Sequence, residues 1–146
     1  MPQGIAMHKA KSLSRVWAAL RRLALPLALG AGLVSTCGAT PVTITITADN
    51  SYDLYVNGSL VGSQNNADGT WGWDAPESWV VEMSPGAGVI AVAAQDESPA
   101  SSSGIGLIAK IAIDGGTTYV TDMSWKVSES GPGGWSGTSF DDAAWS

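Results

Sequence analysis

The chain has 146 residues, with one histidine, one cysteine and 13 Asp or Glu against seven Lys or Arg. Beyond Ala39 it holds no His, Arg or Cys, which removes an imidazole base, a thiolate nucleophile and any nitrogen–sulfur metal site. What remains is acidic, rich in Gly and Ser and studded with Trp, an inventory that suits binding better than chemistry.

Residues 1–39 read as a leader. Lys9, Lys11, Arg15, Arg21 and Arg22 form a basic stretch, Leu23 to Val34 is apolar, and Cys37-Gly38-Ala39 offers small residues at a cleavage position. This is the layout of a secretory signal peptide. The apolar run holds Pro26, Gly30 and Gly32 and is shorter than the roughly 20 residues a spanning helix needs. No membrane span is therefore expected after cleavage. Val34-Ser35-Thr36-Cys37 has the outline of a lipidation box, with Thr36 a poor fit to it. Cleavage after Ala39 would leave residues 40–146, secreted or held at the cell surface. Its two cations, Lys110 and Lys126, stand against 13 carboxylates, a net charge of −11. Such a surface repels phosphate backbones, so no nucleic-acid partner is expected. Without Cys37 no disulfide can form, so the domain relies on its core, with bound Ca²⁺ as a candidate helper.

Thr43-Ile44-Thr45-Ile46-Thr47 alternates strictly and predicts a strand with Ile inward and Thr outward. Tyr52 to Val56 continues the alternation. Asn57-Gly58 then leads to Leu60-Val61, a hairpin signal because both turn positions need positive φ. Ser63 to Thr70 reads as a polar loop and Trp79 to Met83 as a strand. Val89 to Ala94 is apolar throughout, as expected of a strand covered on both faces. Ile105 to Ile113 is the longest strand candidate, with Leu107, Ile111 and Ile113 inward. Asp114-Gly115-Gly116 is a second hairpin turn, and Trp125-Lys126-Val127 a short strand. Phe140 to Trp145 could close the chain as one helical turn. No window after Ala39 sustains a helical period. Short strands separated by turn signals predict an all-β chain, a two-sheet antiparallel β-sandwich, with a closed barrel as the alternative.

Trp71, Trp73, Asp74 and Glu77 lie in one Gly-flanked stretch. An aromatic face stacks on the apolar face of a sugar ring, and carboxylates accept bonds from its hydroxyls. Trp71 and Trp73 share one side of an extended segment. Trp79 opens a strand and is expected in the core, and Trp125 and Trp145 are expected to pack. Asp96-Glu97 follows the all-apolar strand. It reads either as further sugar contacts on a solvated loop or as the acid and base of a glycosidase, the one chemistry the composition permits. Asp49, Asn50, Asp141 and Asp142 are hard oxygen ligands of the kind Ca²⁺ takes. Their plainer reading is a turn at Asp49-Asn50 and an N-terminal helix cap at Asp141-Asp142.

Three segments carry a family resemblance. They are Ala48-Asp49-Asn50-Ser51-Tyr52-Asp53-Leu54-Tyr55-Val56-Asn57-Gly58; Val89 to Ala94 with Gly104 to Ala109; and Thr121-Asp122-Met123-Ser124-Trp125-Lys126-Val127 with Phe140-Asp141-Asp142-Ala143-Ala144-Trp145. In order and spacing they resemble the galactose-binding-like jelly roll. The closest likeness is to accessory modules beside the catalytic domains of bacterial α-L-rhamnosidases and β-galactosidases. The resemblance spans about Thr43 to Trp145. It implies a β-sandwich that is usually non-catalytic, often carbohydrate-binding and often holds a structural Ca²⁺. It departs from such modules after Trp145, where they continue toward a larger enzyme. The expectation is thus a secreted module whose partner is a glycan or polysaccharide. The rivals are a structural or adhesive protein that self-associates and a fragment of a glycoside hydrolase.

Overall fold

A computed structural model describes residues 38–64, 73–84, 86–95 and 106–146, together with the backbone of residues 15–19 and 23–24. Its strands, in chain order, are β1 (Arg15–Ala19), β2 (Leu23–Ala24), β3 (Thr40–Asp49), β4 (Ser51–Val56), β5 (Ser59–Gln64), β6 (Glu77–Met83), β7 (Ala87–Gly88), β8 (Ile90–Gln95), β9 (Gly106–Ile113), β10 (Thr118–Val120) and β11 (Lys126–Ser128). There is no helix among the described residues. Five strands form one sheet in the order β11-β1-β8-β4-β5, and four form a second in the order β10-β9-β3-β6. All pairings are antiparallel. The two-sheet sandwich expected from the pattern is the fold.

The sheets meet through side chains that alternate along each strand. Val42, Ile44, Ile46 and Ala48 of β3 and Ala109 and Ile111 of β9 face Tyr52, Leu54 and Val56 of β4 and Ile90, Val92 and Ala94 of β8, with Met83 and Trp125 in the same core. The Trp125 indole donates its one hydrogen bond to the Val120 carbonyl at 3.1 Å, so a polar atom enters the core at no unsatisfied cost. Leu107 and Ile113, expected inside, are only partly buried, because they sit toward the two ends of β9. Thr47 departs in the other direction. It is expected to face solvent and is buried, because Trp73, whose carbonyl accepts from its hydroxyl at 3.0 Å, stands against it.

The all-apolar stretch at β8 has its reason on the opposite face. Val89 and Ala91 lie beneath Trp135 and Trp145, with Tyr55, Ala93 and Phe140 around them. Trp135 stacks on Trp145 at 6.1 Å, Tyr55 meets Trp135 edge-on at 5.6 Å, and Phe140 meets Trp145 edge-on at 5.3 Å. The segment 133–146 that brings these rings there is a run of turns and not the helical turn expected. Its end is clasped to β11 by Val127 and Ser146, whose backbone groups exchange bonds of 2.8 and 3.3 Å, and by the Lys126 ammonium, which donates to the Trp145 carbonyl at 3.1 Å.

The strand between β8 and β11 comes from the residues read as a leader. β1 pairs Trp17 with Ala93 and Ala18 with Val92 on one side, and Ala18 with Val127 on the other. Among the described residues no helix is long and apolar enough to cross a membrane.

Candidate functional site

The outward face of the four-stranded sheet ends in a cleft of about 240 Å³ lined by Thr47, Ala48, Asp49, Trp73, Gly106 and Ile108. The register builds it. Thr47 lies opposite Ile108 and Asp49 opposite Gly106 across β3 and β9, so their outward side chains share one end of one face. Gly106 leaves the floor low, with Asp49 Cβ at 3.9 Å the nearest atom to a Cβ placed there. The wall is Trp73, 68% exposed although it is the bulkiest side chain present. Its position is set by the backbone, since the Thr47 hydroxyl holds its carbonyl. Ile108, also 68% exposed, stands beside it.

This arrangement supplies an indole face, an aliphatic face and polar oxygens within one small concavity. A pyranose ring has the matching chemistry, apolar C–H faces and hydroxyl edges. Asp49 is the one carboxylate lining the cleft among the described residues. Its Oδ1 accepts from the Asn50 amide at 2.9 Å, which orients it.

Several expected site residues converge here. Trp73 and Asp49 line the cleft, Asn50 adjoins it, and Asp74 is exposed directly after Trp73. Trp71, Asp96 and Glu97 lie outside the described residues. The described residues that bracket them do meet at this end. Ala48 N–H donates to Gln64 Oε1 at 3.4 Å, Asn50 N–H donates to the Gln95 carbonyl at 3.0 Å, and Gly106 lines the cleft. Glu77 has a different occupation. Its Oε2 accepts from the Tyr52 hydroxyl at 2.6 Å, and the Tyr52 hydroxyl oxygen in turn accepts from the Trp79 indole at 3.0 Å. Trp79, expected in the core, is partly buried against it. Burial first, and then the bond to Glu77, push the Tyr52 hydroxyl well above its ordinary range.

The oxygen residues expected to share a cation do not come together. Asp49 and Asn50 belong to the cleft, whereas Asp141 and Asp142 lie in the segment that covers the outer face of the other sheet. There Asp141 Oδ1 accepts from Ala143 N–H at 3.0 Å and the Asp142 carbonyl accepts from Trp145 N–H at 3.0 Å, so the pair shapes a turn. Among the described residues no group of three or more His, Cys, Asp or Glu is gathered. Sequence reasoning missed Ile108 and Gly106. The signal for Ile108 was present, since it is an isoleucine at an outward position of an alternating strand.

No protein-family model matches the chain, and no characterised protein matches it by sequence. Solved structures do match by shape. A lectin from Pleurotus ostreatus in complex with GalNAc has a TM-score of 0.71 at 24% identity, over 91% of this chain and 36% of that one. The α-L-rhamnosidase of Streptomyces avermitilis complexed with L-rhamnose has a TM-score of 0.71 at 27% identity, over 91% of this chain and 12% of that one. The rhamnosidase of Bacillus sp. GL1 has a TM-score of 0.63 at 23% identity, over 91% and 16%. The chain thus spans about a third of the lectin and a smaller share of each enzyme. Its fold resembles the galactose-binding-like β-sandwich found as a module within such lectins and rhamnosidases.

Proposed function

We propose that this protein is a non-catalytic carbohydrate-binding module that takes a sugar ring in the Trp73 cleft and acts outside the cell after export. The observation that carries the reading is an exposed indole held by its own backbone at the rim of a concavity with a carboxylate in it. The likeness to a lectin that binds GalNAc supports it. Two observations support the non-catalytic half: no His, Arg or Cys follows Ala39, and Asp49 is the one carboxylate among the described residues that line the cleft, whereas glycoside hydrolysis needs two carboxyl groups flanking one bond. The test is binding to a broad glycan array by the wild type and by Trp73→Ala. The substitution should weaken binding about tenfold or more, which is ~1.4 kcal/mol, and leave the melting temperature unchanged. Retained binding in Trp73→Ala would move the site elsewhere, and release of reducing sugar by the wild type would restore the hydrolase reading.

One observation favours a second reading, self-association. β1 fills a sheet position with residues that export would remove. Removing it would leave β8 and β11 facing a gap one strand wide, and an unpaired strand edge is a template for another chain.

A further inference from the structure

We infer that the cleft is one end of a longer track, and that its ligand is a neutral glycan chain lying along the outward face of the four-stranded sheet. This rests on the carbohydrate-binding reading and specifies the ligand as a polymer segment rather than a single terminal sugar. The register places the outward side chains in rows across β10, β9, β3 and β6. Thr47 and Ile108 form the row at the cleft. Val120, Lys110, Thr45 and Ser78 form the next, and Thr118, Ala112, Thr43 and Val80 the one after. The face ends at Pro41 and Glu82, beside a second, more open concavity of about 510 Å³ at the Asp114-Gly115-Gly116 turn. From Asp49 to Pro41 it runs eight residue steps, or about 26 Å, which is several sugar units.

Trp73, Ile108 and Val80 are each 68% exposed and Val120 is 54% exposed, and all four stand on this face. They do not merge into one apolar patch. Between them lie the hydroxyls of Thr43, Thr45 and Ser78, the last two bonded to each other at 3.0 Å. The core of a protein interface is depleted of charged side chains, whereas here Lys110 stands mid-face and the hydroxyls of Thr43, Thr45 and Ser78 lie among the apolar side chains. A glycan presents the same mixture, with a C–H face and hydroxyl edges on every ring. Charge argues for a neutral polymer. Lys110 sits mid-face and is outweighed by Asp49 at one end and by Glu82 and Asp114 at the other, so a polyanion would be repelled.

The test is an array of neutral mono- to hexasaccharides probed with the full chain and with Trp73→Ala, Thr43→Glu and Val80→Glu. The wild type should bind its best hexasaccharide about tenfold or more tighter than the matching monosaccharide. Thr43→Glu and Val80→Glu, far from the cleft, should erase that advantage and leave monosaccharide binding and the melting temperature as they were. Trp73→Ala should weaken every length. A hexasaccharide bound no tighter than a monosaccharide, or far-end variants that keep the full advantage, would overturn the track and leave the Trp73 site standing. Absence of binding at every length would overturn both. If the chain is instead a dimer in solution that Val80→Glu dissolves, the face is occupied by a second copy and the glycan track is wrong.

Discussion

Tyr52 shows how a single residue ties the site end of the molecule to its core. Its ring is fully buried between the sheets while its hydroxyl links Glu77 and Trp79 on β6. Trp79 lies so close to β5 that a Cβ at Gly62 would fall 2.2 Å from its ring, so glycine is required there. Replacing Tyr52 by Phe keeps the ring and strands a carboxylate and an indole N–H, and should cost about 0.5–1.5 kcal/mol near neutral pH. The pH dependence has a definite sign. The folded state holds the Tyr52 proton above the ordinary value of 10.0, whereas the unfolded chain releases it near that value. The unfolded state then binds fewer protons, so stability is full below that pH and falls as pH rises above it. Urea denaturation at about pH 8 and about pH 11 should show a larger alkaline loss in the wild type than in Tyr52→Phe. Equal losses would mean that the Tyr52 hydroxyl is not held as described.

At the scale of the element, the β4–β5 hairpin was legible because two adjacent residues solve one backbone problem. Asn57 and Gly58 have φ of 51° and 86°, the left-handed pair that a two-residue turn demands. The structure adds a task that no local pattern shows. Asn57 Oδ1 accepts from Val89 N–H at 2.8 Å, and Asn57 N–H donates to the Val89 carbonyl at 2.8 Å, which pins the turn to the start of β8. Asn57→Ala loses both the tolerance for positive φ and this acceptor, and should destabilise by about 2 kcal/mol in urea melts. Asn57→Asp keeps an acceptor oxygen and should stay within ~0.5 kcal/mol of the wild type; equal losses in the two variants would remove the Val89 contact from the account. β9 was legible as a strand, but the depth of Leu107 was not. Alternation assigns a face, and burial along that face depends on how far the opposite sheet extends.

For the whole molecule, the N-terminal segment carries two assignments that compete for the same residues. As sequence, 1–39 has the layout of a leader, and as backbone, 15–19 is an interior strand of the five-stranded sheet. Both hold if the strand belongs to the precursor and export vacates its position. Sizing should then find the full chain monomeric and the 40–146 domain associating as its concentration rises. A 40–146 domain that is monomeric and as stable as the full chain would show that the sheet closes without β1 and would remove the self-association reading. In the full chain Trp135 and Trp145 cover the outer face of β8, and removal of β1 would unpair the facing edges of β8 and β11.

The sequence alone determined the fold class, the β4–β5 and β9–β10 turns, the inward residues of β3, β4 and β8, and the absence of His, Arg and Cys beyond Ala39. Each of these is a local property, a period of two, a φ requirement or a missing side chain. Tertiary structure decided where the cleft lies and which of the singled-out residues line it. Asp49, Trp73 and the start of β9 with Gly106 and Ile108 are distant in sequence and meet because β3 pairs with β9 in one register and Thr47 holds the Trp73 carbonyl. The same kind of long-range placement separated Asp141 and Asp142 from Asp49, engaged Glu77 with Tyr52, and put residues 15–19 between β8 and β11. Strand order and register arise from which surfaces bury each other across the whole chain, and no window of neighbouring residues encodes that choice.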